Sequence, residues 1–183
     1  MKKRIFVLSL LAVCLSLCIG GTLAYFTSIG TARNVITAGN IRIELIETDA
    51  EGNPFEDVSG VVPDVPIDKV VTVENTGDNP CWVRICVEKE IILAEGKNGD
   101  PDLSLLELDL KTEDWTEQDG FYYYNEELAA GETTTPLFTT VTFKAEMDNL
   151  YEKCTAHVTV TAHAVQTANN GSSVLEADGW PTD

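Results

Sequence analysis

The stretch Cys154 to Gln166 (CTAHVTVTAHAVQ) carries apolar or small residues at every second position, Ala156, Val158, Val160, Ala162 and Ala164, with Thr and His between them. A period of two places those five side chains on one face of a strand, and such a face folds only if a second layer covers it. The same alternation recurs along the chain. Ile41, Ile43 and Leu45 oppose Arg42 and Glu44; Val83, Ile85 and Val87 share a side; Leu137, Val141 and Phe143 point inward together. The β-branched run Lys69-Val70-Val71-Thr72-Val73-Glu74 stops at Asn75-Thr76-Gly77-Asp78-Asn79-Pro80, a cluster of turn formers. It therefore reads with the next alternating run, from Trp82 to Glu88, as two strands joined by a tight connection. Gly120-Phe121-Tyr122-Tyr123-Tyr124 is a further strand candidate, and Ala130-Gly131-Glu132 a further turn. Short strands at turn-punctuated intervals predict a mostly β chain, an antiparallel sandwich or barrel. Helix is minor. Leu103 to Leu110 is ambiguous, and Ser173 to Asp178 has room for one or two turns before Gly179.

The first residues have a different character. Lys2, Lys3 and Arg4 precede an apolar run from Ile5 to Ile19, and small residues follow at Gly20, Gly21 and Thr22. Basic, apolar, small is the layout of a secretory leader, so residues 1–24 are expected to be a signal peptide. Thr22 and Ala24 are the small residues a signal peptidase would read, and Tyr25 would become the new N-terminus. An uncleaved anchor is the alternative, because counting on to Phe26 reaches about the 20 residues a spanning helix needs. Lipid attachment is disfavoured, since Val13 precedes Cys14 and Leu17 precedes Cys18 where a small residue is wanted.

Removing the leader leaves nine basic residues against thirty acidic, and the formal net charge moves from −18 to −21. Such a chain repels phosphate backbones and shows no basic stripe, which argues against nucleic acid as a partner. The remaining 159 residues suffice for one domain. No second long apolar run holds the chain in a membrane, so membrane contact is expected only through the uncleaved leader.

A set of motifs carries a resemblance across nearly the whole chain. Thr22-x-Ala24-x-Phe26 is followed by Asn34-x-Ile36-Thr37-Ala38-Gly39-Asn40-Ile41-x-Ile43-x-Leu45. Then come Val71-Thr72-Val73-Glu74-Asn75-Thr76-Gly77 with Trp82-Val83-Arg84, and Gly120-Phe121-Tyr122-Tyr123. Gly131-Glu132-Thr133-Thr134-x-Pro136-Leu137-Phe138 and the ending from Val165-Gln166 to Trp180 complete it. In this order they resemble the TasA and camelysin-like exported proteins of Gram-positive bacteria. The resemblance implies Sec export, cleavage by a SipW-type signal peptidase, a jelly-roll β-sandwich and a secreted, extracellular role in biofilm matrix fibres. It also implies that the freed N-terminal segment, residues 25–38, is a strand donated to the next subunit, with residues 39–183 as the sandwich domain. The donor residues would be Tyr25, Phe26, Thr27, Ile29, Val35 and Ile36, and the partners other copies of the chain and other matrix proteins. The segment also suits a plainer role as the first strand of its own domain. Donation has a physical basis of its own, because an open sandwich leaves edge strands that accept another strand.

The camelysin side of the family implies a rival activity, a secreted zinc peptidase. A zincin requires two histidines one helical turn apart with a glutamate between them. The only histidines here are His157 and His163, six apart in a strand pattern and so about 20 Å apart at roughly 3.3 Å per residue. They are expected to face outward between threonines, and neither a catalytic residue nor a metal cofactor is assigned. The acidic groups Glu51-Gly52-Asn53 with Glu56-Asp57, and Asp100-Pro101-Asp102, lack the EF-hand spacing for calcium. Three cysteines follow the leader, Cys81, Cys86 and Cys154. One disulfide between Cys154 and either of the others fits an extracellular setting, and three buried thiols fit equally. Trp82, Trp115, Phe121 to Tyr124 and Trp180 are expected to fill the core or cover a sheet end. Exposed to glycan, they would instead make a monomeric surface-binding module.

Overall fold

The alternating run at residues 154–166 becomes the twelve-residue strand β10 (Thr155–Gln166), and its five small apolar residues are all fully buried. In the computed structural model, residues 28–37 and 41–181 are described. Among them nine further strands precede β10: β1 (Ser28–Thr37), β2 (Ile43–Thr48), β3 (Ile67–Asp68), β4 (Val70–Asn75), β5 (Cys81–Ile92), β6 (Leu106–Leu108), β7 (Trp115–Gln118), β8 (Phe121–Tyr124) and β9 (Thr140–Phe143). The chain is a mostly β sandwich.

One layer is a five-stranded sheet in the order β1-β10-β5-β8-β7, in which β10 pairs antiparallel with β5 along its whole length. The other layer joins β2–β4 to β3–β9–β6. The link is the segment 131–139, which runs beside β4: Gly131 N–H donates to Asn75 O at 2.8 Å, Thr134 N–H to Val73 O at 2.9 Å and Leu137 N–H to Val71 O at 3.0 Å. Between the layers, Leu45, Val71, Val73, Val83, Ile85, Phe138, Val141, Phe143, Val158 and Val160 are at most 1% exposed. Each such burial contributes about 1.5–3 kcal/mol, which is what holds two sheets of opposite sequence provenance together.

Three expectations change on contact with the fold. The strands flanking the turn at residues 76–80 are not a hairpin. β4 pairs with β2 in one layer and β5 with β10 and β8 in the other, so the turn carries the chain across the sandwich. Asn75 shapes that crossing: its Nδ2 donates to Asn79 O and Leu128 O, and its Oδ1 accepts from Gly77 N–H. The ambiguous stretch from Leu103 is a 3-10 turn (Leu103–Leu105) running into β6, its start capped by the Asp102 carboxylate accepting from Ser104 N–H at 2.9 Å. Among the described residues the antiparallel pattern has one exception, the parallel pair β1–β10. The second short helical piece is a single 3-10 turn, Val174–Glu176, and Gly179 follows at φ 75°.

Two charged side chains interrupt the core. Glu47 and Lys69 occupy inward positions of the β2 and β3–β4 strands, 3% and 0% exposed, and pair at 2.8 Å with Lys69 Nζ 4.4 Å from the Phe55 ring centre. Removing either partner would strand the other charge in the interior, at a cost of about 3–5 kcal/mol.

Candidate assembly site

Among the described residues β1 lies at the edge of the five-stranded sheet and pairs with β10, in a parallel register from Ser28 opposite Thr155 to Thr37 opposite Ala164. Antiparallel neighbours share a short turn, and parallel ones need a long connection. Here nearly the whole domain, from residue 38 to residue 154, separates the two strands in sequence, so no local link ties β1 to its partner. Ile29 stands opposite Ala156, Val35 opposite Ala162 and Ile36 opposite His163. Val35 is 42% exposed although Ala162 beside it is fully buried. Ile36 is half-buried and, with Asn34, Cys86 and Thr161, borders a shallow hollow on the outer face. Thr22, Ala24, Tyr25, Phe26 and Thr27 lie outside the described residues.

Next to this edge the outer face carries a cluster that alternation does not foretell. His157 and His163 do share the outer face of β10, but His163 is fully buried. Both histidines face outward as expected, but the outer face is covered at His163, and the reason is tertiary. Residues 167–181 fold back across the outer face and cover it. Arg84, on β5 opposite His163, donates from Nε to His163 Nδ1 at 3.3 Å, from Nη1 to Tyr123 Oη at 3.3 Å and from Nη2 to Pro181 O at 3.1 Å. Its guanidinium lies 3.7 Å from the Phe121 ring centre and 4.8 Å from that of Trp180, a stacked arrangement that lysine could not reproduce. Trp180 also meets Tyr123 edge-on at 5.7 Å. The strap is tied at its start as well: Trp82 Nε1 donates to Asn170 O, and Asn170 exchanges bonds with Asp178. Gly171 makes this closure possible, since a Cβ there would sit 2.9 Å from the Glu176 carbonyl carbon at a φ of 73°.

The aromatics divide between two packings. Trp115 and Tyr124 belong to the main core, with ring centres 5.1 Å apart, while Trp82, Phe121, Tyr123 and Trp180 build the cluster under the strap. Neither group forms an open platform for a sugar ring.

None of Cys81, Cys86 and Cys154 is in a disulfide. The register gives the reason and corrects the proposed bridge. Cys81 pairs with Gln166 at one end of the β5–β10 ladder, Cys154 precedes Thr155 at the other, and Cys86 pairs with Thr161 between them. At roughly 3.3 Å per residue, Cys154 is on the order of 20 Å or more from either partner, against a limit of about 7 Å between bridged Cα atoms. Burial pushes the Cys81 thiol up to about 12 and the Cys154 thiol up to about 11, so both behave as core side chains.

Among the described residues Asp109 is a strongly perturbed carboxylate. Burial raises its pKa, but hydrogen bonds from Lys111, from the Thr139 hydroxyl and from the N–H groups of Thr140 and Thr139 outweigh that and hold it well below the usual range. It clamps the junction between the segment 131–139 and β9, accepting at 2.7 Å from Thr139 N–H and 2.6 Å from Thr140 N–H. Asp49 and Asp102 in the acidic loops are likewise engaged by neighbouring N–H groups. Among the described residues no three His, Cys, Asp or Glu side chains are grouped to hold a metal ion. No family model, no curated protein and no solved structure matches this chain.

Proposed function

We propose that the chain is a secreted, non-enzymatic structural subunit of an extracellular matrix. It is exported by the Sec route, cut after Ala24 by a SipW-type signal peptidase, and assembled by passing β1 to the β10 edge of a second copy. The observation that carries this reading is the position of β1: among the described residues it is an edge strand, parallel to the one strand it pairs with and far from it in sequence. Exchange of such a strand between copies recreates the same contacts in the neighbour and costs little beyond the order lost on association. The acceptor is then the β10 edge from Thr155 to Ala164, with small residues Ala156 and Ala162 opposite Ile29 and Val35. The motif resemblance to TasA-like matrix proteins supports the same reading. Cleavage acts as the switch, because a donor tethered to a membrane-held leader cannot reach a neighbour.

The test compares the chain beginning at Tyr25 with one beginning at Gly39 by electron microscopy. Fibres are expected from the first and not from the second; equal fibres from both would overturn donation.

A further inference from the structure

Strand edges expose unpaired amides and carbonyls, and proteins guard them with short length, charge or proline. Guarding is visible at three edges of this sandwich. β7 has four residues and carries Glu117, β6 has three and carries Glu107, and β2 has six and carries Glu44 and Glu47. β1 is built differently. Its ten residues, SIGTARNVIT, include no acid and no proline, and Arg33 is its only charge. The first acidic residue of the whole chain is Glu44, although the net charge is −18. Among the described residues no strand pairs with the side of β1 that faces away from β10.

We infer that this free edge pairs with β1 of a second copy, antiparallel, across a two-fold axis at Ala32, so that the two five-stranded sheets become one. Charge selects the occupant. Two copies this acidic repel wherever carboxylates line the contact, and β1 is the strip along which they approach at least cost. An isologous pairing also closes on itself, as most stable homodimers do. The register follows from cross-strand chemistry. With Ala32 opposite Ala32, Ile29 stands opposite Val35 and Thr31 opposite Arg33; moving the axis to Arg33 would set two like charges directly against each other. Because β1 keeps this edge on its own β10 or on a neighbour's, the pairing does not depend on strand donation. In a fibre it joins neighbouring fibres side by side.

The experiment uses the chain beginning at Tyr25, which retains all of the described core, with Cys86→Ser to remove the half-buried thiol. Ala32→Cys in this background is expected to give a disulfide-linked dimer on mild oxidation, increasingly so as salt screens the acidic surfaces. Thr116→Cys on the guarded β7 edge is expected to remain monomeric. An Ala32→Cys chain that does not cross-link, or a Thr116→Cys chain that cross-links as readily, overturns the inference. As a second reading, Thr31→Glu with Arg33→Glu is expected to weaken dimerisation at least tenfold in sedimentation velocity with the melting temperature retained. Undiminished dimerisation would also overturn it. Failure of donation appears as no fibres with the Ala32→Cys dimer still present, and failure of edge pairing as no such dimer whatever fibres form.

Discussion

The two faces of β10 are one strand seen under two regimes. Its inner face is uniform: Ala156, Val158, Val160, Ala162 and Ala164 meet the second layer and are fully buried along the whole length. Its outer face changes midway. Thr155, His157, Thr159 and Thr161 are half-exposed, whereas His163 and Val165, only a few residues on, are 0% and 2% exposed beneath the strap. Burial of the inner face needs only apolar side chains. Burial of the outer end includes a histidine and a guanidinium, and it is tolerated because Tyr123, Pro181 and the two histidine-facing nitrogens of Arg84 supply the hydrogen bonds that water would otherwise make.

The sharpest way to break this comparison is to charge the inner face. Val160→Asp places an unpaired carboxylate between the sheets and is expected to cost more than about 4 kcal/mol, a large part of a typical domain's stability. A urea midpoint near that of the parent chain, followed by circular dichroism, would show that the inner face is not the core. Trp180→Ala attacks the outer face. It strips one side of the Arg84 stack and is expected to cost about 2 kcal/mol while leaving the sandwich folded. Arg84→Ala should cost a similar amount, and the double variant less than the sum, because the two side chains act together; simple additivity in thermal melts would separate them.

A smaller effect is expected at Asp109, a carboxylate of the second layer held at its open side. Its folded-state pKa is depressed, so its contribution is present above the ordinary carboxylate value near 3.8 and is lost as pH falls below it. Asp109→Asn should therefore cost about 1 kcal/mol at pH 7, and the gap to the parent chain should close as the pH is lowered toward 2. A gap that stays constant from pH 7 to pH 2 would rule out the clamp. The least effect belongs to the partly exposed outer face: Thr159→Val is expected to change stability by no more than about 0.5 kcal/mol, since the site lies outside the buried core and outside the strap cluster. A larger loss in the monomer would mean that this part of the face is covered too.

Particular residues show how far the chain could be read unaided. The inward sets on β2, β5, β9 and β10 were legible because a strand with one covered face must alternate. β7 was not, since Trp115-Thr116-Glu117-Gln118 is too short and polar to show a period. The signal that finds it is Asp119-Gly120, both at positive φ, which closes a two-residue hairpin between Gln118 and Phe121. The inward Glu47 and Lys69 break the pattern, and only their mutual contact explains why the core accepts them. The cysteines were legible as residues but not as a pairing, because their separation depends on the β5–β10 register. For the candidate assembly site, the segment bearing Ile29, Val35 and Ile36 was legible as a strand with apolar side chains. That it forms a parallel strand on the last strand of the domain was not, since nothing local couples positions more than a hundred residues apart.

By itself the amino-acid sequence determined most of the apolar side chains that turn inward and where most turns fall. Those properties depend on neighbours two to four residues away. Only the tertiary structure decided that the turn at residues 76–80 crosses between layers, that His163 is buried against Arg84 and Phe121, and that β1 sits at a sheet edge. Each of these is a contact between segments whose meeting depends on the packing of the whole sandwich.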